Sequence, residues 1–538
     1  MLALPRRFRV RGRSAPLRLA SLGQSRGLGP TSTTALPEAW DEMWGVRAPV
    51  RLDLQSFKRD CAKLAKHIAA VERRVEFGPL VGSSHLREAP IHRWYSYKEG
   101  YSPQLLPAVI EILGLSGTGL HVADVFGGVG TTALAGQAHG QVGEVRSLEY
   151  SRWARFVGAT KLAWPFLDPG RLRLLLRPAV EYEIDATIPF PALASFSNPR
   201  IFDPQRVRSL LAAREHVRRL PGSTQLERDF FVLGLGAVAE DLSYVMKDGR
   251  ALRVKGERKR RASSLGEHPH PALRVNGRVQ DALVGQWTAM IDDLDRLADK
   301  RALTARTPAQ HVVGDARQPN VSLVDGSDTT MFPDGWANLS CFSPPYLNCI
   351  DYTELYKLEL WLMEHITTQE QFRRARLGTL RSHPSVAFPT RDSFSGIMEE
   401  PVIRLICAIS EWLSAHGARR DVGPMVRNYF EDMLEVWRAQ HVMLADDGVA
   451  VCVVANSTFS RRERKPGGDV TEHWRLPLLT DVLLAHLARL AGFGRVEIWD
   501  ARALRPRNVR WGAARESAGR CLRVASHHPA DRQEDVTR

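Results

Sequence analysis

Apolar and polar positions alternate between two periods along this chain, and the switches between them outline its elements. From Leu52 to about Val75 the apolar residues recur at helical spacing, so ordered structure is expected to begin there. Leu105, Leu106, Val109, Ile110 and Ile112 share a face behind Ser102-Pro103. This predicts a helix with Ser102 as N-cap and Pro103 at the first position, closed by Gly114. Short apolar runs predict strands at His121–Val125, at Val142–Leu148 leading into Glu149, at Ala337–Phe342, and a last one at Arg495–Trp499. Helical patterns cover Asp203–Arg219 and Gln225–Met246. No repeat of 20 to 50 residues is visible.

Composition narrows the class. Hydrophobic residues at 44% and charged residues at 25% are globular values over 538 residues, which excludes a mostly disordered chain. The longest apolar runs, such as Val449 to Ala455, have the length of a buried strand and fall short of a membrane span. Six cysteines (61, 341, 349, 407, 452 and 521) form no CxxC pair, so a reducing, cytoplasmic setting is expected. His268-Pro-His270 and His527-His528 lack partner ligands at metal spacing, and no metal is expected. The net charge of +14 permits a polyanionic partner without requiring one. The first 37 residues hold seven arginines and no acid, so 1–50 reads as a disordered basic arm.

The first candidate chemistry lies where the strand at 121–125 runs into Asp124-Val-Phe126-Gly127-Gly128-Val-Gly130-Thr131-Thr132. Glycines at a strand-to-helix turn let a cofactor lie against bare backbone, and the next helix offers unpaired N–H groups. Glu149, 19 residues beyond Gly130, ends the second strand, where an acid can accept hydrogen bonds from ribose hydroxyls. A nucleoside-bearing cofactor fits. The turn lacks the third glycine of the dinucleotide fingerprint and the lysine of a phosphate loop, which disfavours NAD and ATP.

The second lies at the end of the strand at 337–342, which delivers Ser343-Pro344-Pro345-Tyr346 to the sheet edge where ligands bind in open α/β folds. Two prolines fix the backbone and remove two donors, leaving outward carbonyls as acceptors. A hydroxyl, rigid carbonyls and an aromatic ring together can hold a planar base by its exocyclic amino group.

These two segments together resemble the amino-group DNA methyltransferases, which methylate cytosine N4 or adenine N6 using S-adenosyl-L-methionine. Tyr97-Lys98-Glu99-Gly100-Tyr101-Ser102-Pro103 looks like the family's cofactor-binding segment ahead of the glycine loop, and Gly314-Asp315-Ala316-Arg317 like the turn whose acid contacts the cofactor adenine. Tyr429-Phe430-x-x-Met433, Gly448–Val454 and Asn456-Ser457-Thr458 look like the helix and strand that complete the target pocket. Val125 and Gly127 depart from the usual proline and the frequent cysteine. The resemblance covers roughly 91–164 and 308–515. It implies a doubly wound α/β fold with a mainly parallel seven-stranded sheet, helices on both faces and an antiparallel edge strand near the C-terminus. It also implies cofactor contacts from Tyr97, Lys98, Ser102, Asp124, Phe126, Gly128, Gly130, Thr131, Thr132, Glu149 and Asp315, with Ser343, Pro344, Pro345 and Tyr346 as the catalytic turn.

Serine before Pro-Pro-Tyr is similar to the cytosine N4 branch. The alternatives are adenine N6, an RNA amino group, or a catalytically silent nucleic-acid module. The implied partners are double-stranded DNA with a flipped target base and a cognate restriction endonuclease, in a bacterial or archaeal host. Residues 51–164 and 306–525 would form the two halves of the methyltransferase domain, and 526–538 a disordered tail. The helical insertion at 165–305 is a candidate target-recognition region. Its basic run, Lys247–Arg261, offers Lys255, Arg258, Lys259 and Arg260 for phosphate contacts, and Arg505 and Arg507 offer a second grip. Arg373–Ser395, rich in Arg, Ser, Pro and Gly, reads as a mobile loop over the active site.

Overall fold

The structure is a computed structural model that describes residues 51–97, 99–185, 187–191, 202–247, 252–254, 279–322, 331–347, 350–417, 419, 421–464, 470–502 and 519–525. The basic arm, the C-terminal tail, both histidine pairs, Cys349, Lys98, Lys255, Arg258, Lys259, Arg260, Arg505 and Arg507 lie outside these residues.

Thirteen strands are described: β1 (Ala69–Glu72), β2 (Leu120–Asp124), β3 (Val142–Glu149), β4 (Val245–Lys247), β5 (Leu252–Val254), β6 (Ala309–Asp315), β7 (Gln318–Ser322), β8 (Ala337–Phe342), β9 (Leu444–Ala455), β10 (Ser457–Arg464), β11 (Val470–Leu478), β12 (Arg495–Arg502) and β13 (Gly519–Ala525). Nine of them form one sheet in the order β1-β12-β13-β9-β8-β2-β3-β6-β7. Pairing is parallel from β9 through β8, β2 and β3 to β6, and again between β1 and β12. The chain builds outward from β2 through β3 and β6, then returns to place β8 on the other side of β2. That reversal makes the β2–β8 crevice a topological switch point, where loops above the strand ends diverge and leave room for a ligand.

Strand alternation divides the interior into two cores. On β9, Val449, Val451 and Val453 enter one hydrophobic cluster while Ala450, Cys452 and Val454 enter the other. One face is covered by α1 (Arg51–Ala65), α10 (Pro401–His416), α11 (Val422–Met443) and α12 (Thr480–Leu490). The other carries α2 (Leu105–Ile112), α3 (Thr131–Gln137), α4 (Arg152–Leu162), α5 (Pro169–Val180), α6 (Pro204–Arg218), α7 (Gln225–Leu242) and α8 (Val279–Arg296). The α/β class and the helices on both faces are therefore present.

Several local expectations are corrected. The sheet has nine strands rather than seven, because β1 and β7 extend its edges. The antiparallel strand is interior: β13 is wedged between β12 and β9, and it lies in a stretch whose basic residues hid its pattern. The helical pattern from Leu52 ends at Ala65, and Ala69–Glu72 extends to pair with β12. The pattern from Gln225 stops at Leu242, after which Val245–Lys247 pairs as β4 with β5. Ser102 and Pro103 precede α2, whose N-cap is Gln104. The segment 373–395 is neither wholly loop nor loosely held: α9 (Gln369–Gly378) occupies its start, and Arg381, Ser382 and His383 are buried.

The described helices between residues 165 and 305 do not form an appendage. Phe230, Phe231, Leu233 and Leu235 of α7 belong to the same cluster as Val122 and Val145 of the sheet. Gly236 of α7 sits so close to the Trp153 indole of α4 that an added Cβ would overlap it. Lys247, the first residue of the basic run, is buried as well. Its ammonium pairs with Glu359 and with Glu240 at 3.2 Å.

Candidate active site

A cavity of about 910 Å³ opens at the carboxyl ends of β2, β3, β6, β8 and β9. Its walls bring together both segments singled out in the sequence. Asp124, Phe126, Gly128, Thr131, Glu149 and Asp315 line it together with Ser343, Pro344, Pro345 and Tyr346. Tyr97 joins them, its ring stacked on Tyr356 at 5.4 Å.

The glycine turn is shaped from both sides. Asp124 Oδ1 accepts the Phe126 N–H at 2.9 Å, and Glu149 accepts the Gly128 N–H on Oε2 at 2.8 Å and the Ser151 N–H on Oε1 at 2.7 Å. Gly128 and Gly130 adopt left-handed conformations, with φ of 52° and 84°. Behind the turn, His311 Nε2 donates to the Gly128 carbonyl at 3.1 Å, while its Nδ1 stands 2.8 Å from Ser147 Oγ. Burial pushes the imidazole down to about 4, so the ring is neutral and Nδ1 accepts from Ser147. Ser147 and His311 also fill the space that any side chain at Gly127 would need. This accounts for glycine where the resembling family often has cysteine.

Carboxyl groups of Glu99, Asp124, Glu149 and Asp315 line the cavity, together with Arg152 and Arg374. Burial pushes the Asp124 carboxyl up to about 6 and Glu149 up to about 7, against the lowering effect of their hydrogen bonds. At the other strand end, Ser343 Oγ donates to the Val453 carbonyl at 2.9 Å, and the Tyr346 hydroxyl stands 3.5 Å from the same oxygen. Asn456, Ser457 and Thr458 complete this wall, with Asn456 Oδ1 accepting the Asp481 N–H at 3.0 Å.

Three expected contacts stand behind the wall. Ser102 is buried, its Oγ 3.0 Å from His85 Nδ1, and it accepts the Gln104 N–H at 3.3 Å. Thr132 bonds to the Tyr101 hydroxyl and donates to the Cys341 carbonyl at 3.3 Å. Gly130 packs on α4, where an added Cβ would come within 3.2 Å of Gly158. All three lie outside the cavity lining. Conversely, Tyr150, Tyr352, Tyr356 and His383 line it without having been singled out. The pair Tyr352 and Tyr356, one helical turn apart and just past Pro-Pro-Tyr, carried a readable signal.

Over 317 residues the chain is 27% identical to the Type II methyltransferase M.BsoBI of Geobacillus stearothermophilus. It is a distant relative of a Type II methyltransferase. The match covers 55% of this chain and 57% of that protein, so the chain spans little more than half of its relative's length. No family model matches the chain. Among the described residues, no group of three His, Cys, Asp or Glu is placed to hold a metal, and no helix is long and apolar enough to cross a membrane.

Proposed function

We propose that this protein transfers a methyl group from S-adenosylmethionine to the N4 amino group of cytosine in DNA. The observation that carries the reading is the meeting of the glycine turn and Ser343-Pro-Pro-Tyr346 in one cavity at the switch point of the sheet. The likeness to a Type II methyltransferase supports the reaction class. The lining fits the cofactor: carboxylates of Asp124, Glu149 and Asp315 suit a cation bearing ribose hydroxyls, and the volume is ample for a nucleoside and a base.

When bound, the cofactor supplies an electrophilic methyl on a sulfonium. The protein's own residues do the rest. Glu149 accepts from the ribose while holding the turn, Asp315 accepts from the adenine amino group, and Tyr97 packs beside them. A base extruded from the duplex stacks on Tyr346. Ser343 Oγ and the Pro344 carbonyl accept the two amino hydrogens, which draws the nitrogen lone pair out of conjugation and aims it at the methyl. Methyl transfer to that nitrogen would release S-adenosylhomocysteine and one amino proton to water, so the part of Ser343 and Pro344 would be positioning. Serine is a weaker acceptor than a carboxylate, so orientation contributes more than proton abstraction. The insertion at 165–305 would read the recognition site, and Lys255, Arg258, Lys259, Arg260, Arg505 and Arg507 would meet phosphates.

Incubation of the purified protein with tritiated S-adenosylmethionine and unmethylated genomic DNA tests the reaction. Acid-precipitable label on DNA, absent for RNA of matched length, is the expected result. Label on RNA alone, or none on either, would overturn it.

A further inference from the structure

Asp315, the acid closing β6, is held by a neighbour that reaches well beyond it. Arg317 grips it with Nε to Oδ1 at 2.9 Å and Nη2 to Oδ2 at 2.7 Å. The same guanidinium donates from Nη2 to the Gly378 carbonyl at 2.7 Å and from Nη1 to Asp432 Oδ2 at 3.1 Å. Asp432 on α11 also accepts the Arg381 N–H at 2.9 Å and Arg381 Nε at 3.1 Å, and Arg381 Nη2 reaches Glu431 at 3.1 Å. Arg381 is 1% exposed and Asp432 0%. The guanidinium makes these four donations from three nitrogens spread across one plane, a span that the three donors on lysine's single nitrogen cannot cover.

The connected groups sit at different parts of one cavity. Asp315 belongs to the glycine-turn side, whereas Thr379, Leu380, Ser382 and His383 form a wall that follows directly from Gly378. Gly378 has no latitude of its own, because an added Cβ would overlap the Tyr150 hydroxyl. Charges buried this deeply cannot slide apart gradually, since removing one partner leaves another uncompensated. The network is therefore a stiff link between the two sides.

We propose that Arg317 is a positioning residue coupling the two ligands of this cavity: occupancy at Asp315 sets the placement of residues 378–383, whose Gly378, Thr379, Leu380, Ser382 and His383 line the same cavity as Ser343 and Tyr346. The inference rests on the functional reading above, with a nucleoside cofactor at Asp315 and a base against Ser343 and Tyr346. By linkage, a base seated against that wall tightens the cofactor by the same factor. Arg317 itself does not line the cavity.

Hydrogen–deuterium exchange on the full chain, with and without S-adenosylhomocysteine, tests it. In the wild type the ligand should slow exchange across residues 379–383 by about fivefold or more, the lower end of ordinary allosteric coupling. Arg317→Lys keeps the charge and loses the fork; it should still bind the ligand, yet the slowing at 379–383 should shrink to within about twofold of no effect. A merely structural arginine would lower the melting temperature and leave that slowing intact. Undiminished slowing in ligand-bound Arg317→Lys would overturn the proposal. Should that variant fail to fold, Asp432→Asn, which keeps the Arg317–Asp315 pair and weakens the hold on Arg381, carries the same expectation and the same refutation. Failure of the wild type to bind S-adenosylhomocysteine would contradict the methyltransferase reading, whereas binding without any slowing at 379–383 would overturn this inference alone.

Discussion

Asp124 and Glu149 show how burial sets the chemistry of single residues here. Both carboxyls are pushed up, to about 6 and about 7, because the cavity wall removes water from them. An acid whose folded value exceeds its unfolded value of about 4 keeps its proton longer in the folded state. Rising pH between those values therefore removes stability from the ligand-free protein. A cofactor whose ribose donates to ionised Glu149 reverses the balance. Its affinity should climb about tenfold from pH 6 to pH 8 and level off above, and Glu149→Gln should flatten the profile. Calorimetric titrations across that range check it, and a flat wild-type profile would contradict the role of Glu149. Tyr346→Ala should keep cofactor affinity and lower turnover by about five- to 150-fold, the equivalent of the ~1–3 kcal/mol a stacked base contributes. Unchanged turnover would remove Tyr346 from the base site. Residue identity alone could not separate Ser102, Gly130 and Thr132 from the true lining, since small and polar residues serve close packing and ligand contact equally well.

At the scale of elements, the strand–turn–helix of β2 and α3 and the strand β8 were legible because local pattern and tertiary role agree there. Elements set by long-range pairing were not. Ala69–Glu72 continues a helical pattern in sequence and becomes a strand through its register with β12. Strand β13 pairs with β9, which lies more than 60 residues earlier, as well as with β12, and arginines interrupt its apolar residues. The segment after α9 read as mobile from its Arg, Ser and Pro content, yet buried ion pairs of Arg381 anchor it. The packing of β3 and β6 behind the glycine turn yields a prediction of its own. Gly127→Ala should destabilise the protein by ~1–3 kcal/mol, the usual cost of overpacking, because Ser147 and His311 occupy the space a methyl needs. Urea denaturation measures this, and adding Ser147→Ala should recover part of the loss. A Gly127→Ala protein as stable as the wild type would show that the turn can yield there.

Over the whole molecule, one feature of topology ties residues far apart in sequence into a single site. The reversal of strand order between β3 and β8 places Asp124 and Ser343 above neighbouring strands that pair at Val122 with Leu339 and at Ala123 with Ser340. The described helices within residues 165–305 pack into the same core as the sheet, so a recognition function for them would act through that shared core. The chemistry proposed for this cavity is methylation of the cytosine amino group. Its most direct test digests DNA treated with the protein and S-adenosylmethionine to nucleosides and identifies the methylated one by mass spectrometry. N4-methylcytosine is the predicted product, whereas N6-methyladenine, or 5-methylcytosine, would contradict the role assigned to Ser343.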